Sequence, residues 1–130
     1  MKIELEMLKE FHEKFGAPIN YKLTYPVDMK YEDKRVRYTM IAEEVEELGH
    51  AIECNDLIEI ADAIGDILYL AFGTAHTFGI ADKIQEVFAE IHKSNMSKLG
   101  EDGKPILRDD GKILKGPNYF RPSIDKILLG

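Results

Sequence analysis

From Asp56 to Gly79 the chain reads DLIEIADAIGDILYLAFGTAHTFG, apolar almost throughout, with acids after the opening Asp56 only at Glu59, Asp62 and Asp66. Spacings of three and four put those acids on one face of an α-helix. On a wheel of 100° per residue, Asn55, Glu59, Asp62, Ala63, Tyr69, Leu70, Gly73 and Thr77 fall within about 60° of Asp66. Leu57, Ile60, Ala61, Ile64, Ile67, Leu68, Ala71, Phe72, Ala75 and Phe78 fill the remaining arc, so this helix is expected to be surrounded by protein. Three carboxylates on such a helix cost on the order of several kcal/mol each unless paired or metal-bound. A ligand is expected to offset that cost.

The neighbouring segments read as helices too. Residues 3 to 15 place Ile3, Leu5, Leu8, Phe11 and Phe15 at helical spacing and stop at Gly16, with Pro18 beyond. Residues 16 to 31 have no steady period and read as a loop. From Asp33 to Ile52, the residues Ile41, Val45, Leu48 and Ile52 form one apolar stripe. Asn55 or Asp56 caps the acidic helix, which Gly79 ends. A fourth helix follows, with Asp82 as N-cap and Ile84, Val87, Phe88 and Ile91 as its buried side, fading near Leu99. The expectation is an all-α four-helix bundle in a single domain over 1–130, with a helical core of about 3–99 and an irregular tail of about 100–130. In that tail Ile106-Leu107 and Ile113-Leu114 flank Asp110-Gly111, a turn signal that permits a hairpin, and Ile124 to Leu129 permits a short helical turn.

On the second helix, Glu43-Glu44-Val45-Glu46-Glu47 sets Glu44 at the edge of the apolar stripe and Glu47 one turn further along the same flank. A bare run of this kind is ordinarily a solvated face, and for Glu43 and Glu46 that reading stands level with a functional one. Opposed to Glu59, Asp62 and Asp66, however, the run makes a cage of hard oxygen ligands. Such a cage suits Mg²⁺ or Mn²⁺, and magnesium in turn implies a phosphorylated substrate. A di-iron bundle needs two Glu-x-x-His motifs. Glu47-Leu-Gly-His50 is one, but neither His76 nor His92 has a glutamate three residues before it.

Charge narrows the partners. The formal net charge is −7, which argues against a sequence-independent grip on a nucleic-acid polymer. Residues 92 to 126 hold eight Lys/Arg against five Asp/Glu, or +3, leaving nine against nineteen, or −10, for the rest. An acidic body suits cations, and a basic tail suits an anion. Cys54 is the single cysteine, so neither an intrachain disulfide nor a thiolate zinc cluster is expected, and the cytoplasm is the default compartment. The charged N-terminal stretch MKIELEMLKEFHEKF has neither a secretory nor a membrane-spanning apolar core.

In these residues the chain resembles the all-α NTP pyrophosphohydrolase superfamily, which includes MazG, the dimeric dUTPases and phosphoribosyl-ATP pyrophosphohydrolase. The likeness is greatest to the MazG-like, phosphoribosyl-ATP pyrophosphohydrolase-like branch. It is carried by LKEFHEKFG, by ADAIGDILYLAFGTAHTFGI and by EIHKSNMSKLGEDGKPILRDDGKILKGPNYFRP. The superfamily signature is EExxE followed by ExxD. The first half is present at residues 43–47; the second departs, because with Asp66 as the family's Asp the family's Glu falls on Ala63.

The resemblance implies Glu44, Glu47 and Asp66 as metal ligands, Asp62 or Glu59 filling the vacancy, and Glu43 as a ligand or as the base orienting the attacking water. It implies hydrolysis between the α- and β-phosphates of a nucleotide, and a homodimer or homotetramer. Lys93, Asn95 and Lys98 of the SNMSK segment, with Lys115, Asn118 and Tyr119 on a Gly-Pro-stiffened loop, are the expected substrate contacts. A helical binding module that keeps the fold without catalysis is the rival, because of Ala63. For His12 and Phe11 core packing is expected, and Tyr69 either stacks on a base or packs in the core.

Overall fold

Four long helices carry the chain in the computed structural model, which describes residues 1–130: α1 (Lys2–Phe15), α2 (Tyr31–Glu53), α3 (Leu57–Thr77) and α4 (Ile84–Met96). A two-residue hairpin of β1 (Ile106–Leu107) and β2 (Ile113–Leu114) and a short α5 (Ile124–Leu129) complete an all-α fold with a small irregular tail. Two compact units divide it, Met1–Asp82 and Lys83–Gly130.

In the first unit α3 is central, packed against α2 and against α1. Helix α1 stops where Gly16 turns left-handed, at φ 72°. The α2–α3 turn passes through Asn55, also left-handed at φ 56°, a conformation that asparagine tolerates better than most residues. Asp56 then caps α3, its Oδ1 accepting from the Glu59 amide at 3.1 Å. Beyond Thr77 the chain turns at Gly79 (φ 69°), where a Cβ would stand 1.9 Å from the Lys22 carbonyl oxygen. Only glycine meets both conditions. That approach pins the long α1–α2 loop along the end of α3. The amides of Asn20 and Thr24 donate to the carbonyls of His76 (3.0 Å) and Phe78 (2.9 Å), and Asn20 Nδ2 donates to the carbonyl of Thr77 (2.7 Å).

The buried side of α2 is rotated from the expected stripe. Arg37 and Ala51 are buried and Met40, Ile41, Glu44 and Leu48 half-buried, whereas Val45 and Ile52 are exposed. The seam therefore runs 37, 40/41, 44, 48, 51, and two long polar side chains lie within it. Hydropathy alone favoured the neighbouring stripe because it gives a buried Arg or Glu no weight. The enclosure expected for α3 is also corrected. Leu57 (76% exposed), Ile58 (79%), Ile64 and Leu68 form an open apolar flank, since α1 and α2 cover only part of a helix apolar on most of its circumference.

In the second unit α4 begins after Lys83 with no side-chain cap, so Asp82 is not its N-cap. Val87 and Ser94 are its buried residues; Phe88 and Ile91, expected inside, are exposed. The permitted hairpin forms, with Ile106 opposite Leu114 and Leu107 opposite Ile113.

Candidate metal centre

Two contacts define how α2 and α3 face each other. Gly73 of α3 lies against Arg37 of α2, where a Cβ on the glycine would come within 2.6 Å of the guanidinium. Glu44 of α2 feels the charges of Asp62 and Asp66 on α3. Glu44 follows Arg37 by seven residues on α2 and Asp66 precedes Gly73 by seven on α3, so the antiparallel alignment at Gly73 brings the two acids to the same level. Extended along the hairpin, that register sets Glu47 opposite Ala63.

Glu44 is the pivot of the group. It is half-buried, and its Oε2 is fully buried with no hydrogen-bond partner. Loss of hydration, then the neighbouring Glu47 carboxyl, then the negative charges of Asp66 and Asp62, push its carboxyl up to about 7. Asp66 is half-buried beside it; Glu43, Glu47, Glu59 and Asp62 are exposed. No three Asp, Glu, His or Cys side chains converge into a ready-made coordination sphere. The group is an open array of hard oxygen donors with one orphaned oxygen at its centre, and such an array fits a divalent cation of the Mg²⁺ type.

Towards the α2–α3 turn the acids border an open pocket of about 770 Å³, lined by Glu43, Glu46, Glu47 and Glu59 together with His50 and Cys54. Glu47 belongs both to this pocket and to the Glu44 group. His50 is exposed, its Nε2 3.6 Å from Cys54 Sγ. The signature thus delivers Glu44, Glu47, Asp62 and Asp66 to one neighbourhood and Glu43 and Glu59 to the adjoining pocket. Ala63, where the resemblance asks for a ligand, is 2% exposed.

At the far end of α3 lies a buried polar cluster. Arg37 donates from Nε to Thr74 Oγ1 and from Nη2 to the Leu70 carbonyl, both at 3.2 Å. His12, buried as expected, has Nδ1 2.9 Å from the Pro18 carbonyl oxygen, and His76 Nε2 lies 2.7 Å from that of Leu5. Desolvation, followed by the charges of Arg37 and His76, holds His12 below its ordinary value against the raising effect of the Pro18 contact. Tyr69, partly exposed, packs edge-to-face on Phe11, with ring centres 5.6 Å apart. The sequence reading did not single out Arg37, although one arginine in a helical seam two turns before an acidic run was a usable sign.

In the second unit the expected substrate contacts fall on α4 and the segment stitched to it. Lys93 and Asn95 are exposed near the end of α4, and Lys98 is half-buried just beyond. The Gly116 amide donates to the Lys98 carbonyl at 2.9 Å. Lys115 places Nζ 4.8 Å from the Tyr119 ring centre, and Asn118 is exposed. Lys98, Lys115 and Tyr119 are thus drawn into one neighbourhood. The fastening depends on two serines that the sequence reading passed over. Ser94 Oγ donates to the Phe120 carbonyl (2.8 Å), and the Phe120 amide donates to Ser97 Oγ (3.1 Å). Their i, i+3 spacing within SNMSK was the available signal.

The phosphoribosyl-ATP pyrophosphohydrolase family model matches residues 8–95. The chain belongs to the phosphoribosyl-ATP pyrophosphohydrolase family. This is a family of nucleotide pyrophosphohydrolases within the MazG-like all-α superfamily, and the matched span takes in the carboxylates of both α2 and α3. An uncharacterized protein, L479, of Acanthamoeba polyphaga mimivirus is 42% identical over 119 residues, which are 91% of this chain and 43% of that protein. The chain therefore spans less than half the length of that relative.

Proposed function

We propose that this chain is a divalent-cation-dependent hydrolase that cleaves a nucleoside triphosphate, or a related nucleotide, between its α- and β-phosphates to give a nucleoside monophosphate and pyrophosphate. The observation that carries this reading is Glu44, with an orphaned, desolvated carboxylate oxygen among Glu47, Asp62 and Asp66 in a member of this family. Glu44, Glu47 and Asp66, with Asp62 or Glu59, are the residues to hold Mg²⁺ or Mn²⁺. Such an ion supplies neutralisation of phosphate charge and acidification of water.

The protein's own part is to hold these acids on two helices in one register. Glu43, exposed on the same turn as Glu44, serves as a further ligand or as the base that orients the attacking water. Lys98, Lys115 and Tyr119, with Lys93, Asn95 and Asn118, supply phosphate and base contacts. The open apolar flank of Leu57, Ile58, Ile64 and Leu68 supports a homodimer or homotetramer. No helix is long and apolar enough to cross a membrane. The free Cys54 supports a reducing, cytoplasmic setting, and clearance of unwanted nucleotides is the physiological role we infer.

The test is incubation of the folded protein with a panel of nucleoside triphosphates and Mg²⁺, scored for pyrophosphate. Release from at least one substrate is expected, and inertness towards all of them overturns the reading. A second reading, a helical module that binds nucleotide without hydrolysing it, is favoured by the buried Ala63 at the family's ligand position. Saturable nucleotide binding without pyrophosphate release would select it.

A further inference from the structure

Arg37 is a charged side chain that the proposed chemistry does not use, and it is only 5% exposed. It has no carboxylate partner, since the ion pairs of the molecule are Met1–Glu4 and Arg108–Asp110. A buried cation without a counter-charge is a poor way to fill a helix seam; an apolar side chain of similar length would pack there at less cost. What an apolar side chain lacks is direction. The Arg37 guanidinium donates to the main-chain carbonyl of Leu70 and to Thr74 Oγ1, and it shares with His12 Nε2 a notch that exists only because Gly73 has no side chain. The other half-buried side chains of α2 near this seam, Met40, Ile41 and Leu48, are apolar, and apolar packing between helices tolerates sliding better than a directional bond does. A buried polar group that meets its partner in only one alignment is a known means of setting register between helices.

The alignment Arg37 selects is the one the acids need. Glu44 lies seven residues after Arg37 and Asp66 seven before Gly73, so the antiparallel alignment set at Gly73 carries both acids to one level, and Asp66 lies one turn before Leu70 on α3. Sliding by one residue would shift α2 about 1.5 Å along α3, and the rotation needed to keep the seam would carry Glu44 away from Asp66. We propose that Arg37 is a positioning residue whose lodging at Gly73 and bonds to Leu70 and Thr74 fix the register in which Glu44 meets Asp62 and Asp66. The proposal rests on reading that acidic group as a cation site.

The experiment compares Arg37→Met, Arg37→Lys and Gly73→Ala with Leu8→Ala, a buried α1 substitution that destabilises the same unit without removing a polar group. Mn²⁺ alone is the probe, titrated under conditions where circular dichroism shows each variant folded. In parallel, spin labels at the exposed positions Val45→Cys and Leu68→Cys, in a Cys54→Ser background, report the α2–α3 spacing without metal. The expected result is a fall in Mn²⁺ affinity of about tenfold or more, the range seen when groups supporting metal ligands are removed, for Arg37→Met and Gly73→Ala. It is accompanied by a shifted or broadened label distance, partial recovery with Arg37→Lys, and neither change with Leu8→Ala. If Arg37→Met does not fold, Gly73→Ala carries the same test when read beside His12→Gln, because the added Cβ meets His12 Nε2 as closely as it meets the guanidinium. Unchanged affinity and label distance in the folded Arg37 and Gly73 variants, or an equal loss with Leu8→Ala, overturns the proposal. A parent protein that binds no Mn²⁺ overturns the cation-site reading instead, and the label distances still decide the role of Arg37.

Discussion

Glu44 of α2 and Asp66 of α3 lie opposite one another in the helix seam, both half-buried and neither paired with a lysine or arginine. Like charges held this way oppose folding in the absence of a cation, and the proposed ion would relieve that repulsion. Glu44→Gln keeps the shape and removes one charge. It is expected to raise the melting temperature of the metal-free protein above pH 7 and to lower turnover by roughly 10²-fold or more. Thermal melts with and without Mg²⁺, set beside pyrophosphate release, check both halves.

The same group sets a pH dependence. Glu44 titrates near 7 when folded and at an ordinary carboxyl value when unfolded, so between those values the folded chain holds the extra proton. Its contribution to stability is therefore present at low pH and lost as pH rises through about 7. Cation binding must displace that proton. Mn²⁺ affinity is expected to rise with pH and level off above about 7. Calorimetry at pH 6 in two buffers of different ionisation heat should show proton release that Glu44→Gln abolishes.

His12 works in the opposite direction. Burial leads the causes that hold its imidazole below the unfolded value, so its contribution is present above about 6.5 and is lost as pH falls through the folded value. The acid limb of the stability curve is expected to lose part of its slope in His12→Gln, a change readable in denaturant midpoints from pH 7 down to pH 5. A slope identical to that of the parent protein would remove His12 from the account.

Much of the helical layout could be read from spacing, because helix ends and apolar periods are local properties. Gly16, Asp56 and Gly79 punctuate the chain where residue chemistry said they would. The facing of the helices was less legible. Glu44 lies inside the seam rather than at its edge, and Val45 and Ile52 lie outside it. Hydropathy counts Arg37 and Glu44 as surface residues, whereas what buries them is a partner on another helix: Gly73 and the Leu70 carbonyl for one, the acidic array for the other. Ser94 and Ser97 were missed for a similar reason, since their partner, Phe120, lies more than twenty residues away.

Those serines carry a prediction of their own. Ser94 is 3% exposed and its hydroxyl holds the Phe120 carbonyl, a bond whose net contribution is about 1 kcal/mol. Ser94→Ala is expected to loosen the tail while leaving α1 to α3 unchanged. Hydrogen exchange should speed up at the amides of Gly116 and Phe120, which donate to Lys98 and to Ser97 respectively, and KM should rise more than kcat falls.

Ala63 offers the most direct test of how the site closes. It is buried, and the antiparallel alignment at Arg37/Gly73 brings it level with Glu47. Ala63→Glu restores the family's ligand pattern in sequence but adds a fifth acid to the neighbourhood of Glu44, Glu47, Asp62 and Asp66. Without metal the added buried charge is expected to cost about 3 kcal/mol, seen as a clear drop in melting temperature. With millimolar Mn²⁺ much of that loss should return, because an ion that binds only the folded state stabilises it by mass action, and the added oxygen raises its affinity. If Asp62 or Glu59 already occupies the ligand position, the new carboxylate has nothing to bind and the metal-induced gain in melting temperature will match that of the parent protein. A larger gain than in the parent would show that the alanine leaves the cage one oxygen short.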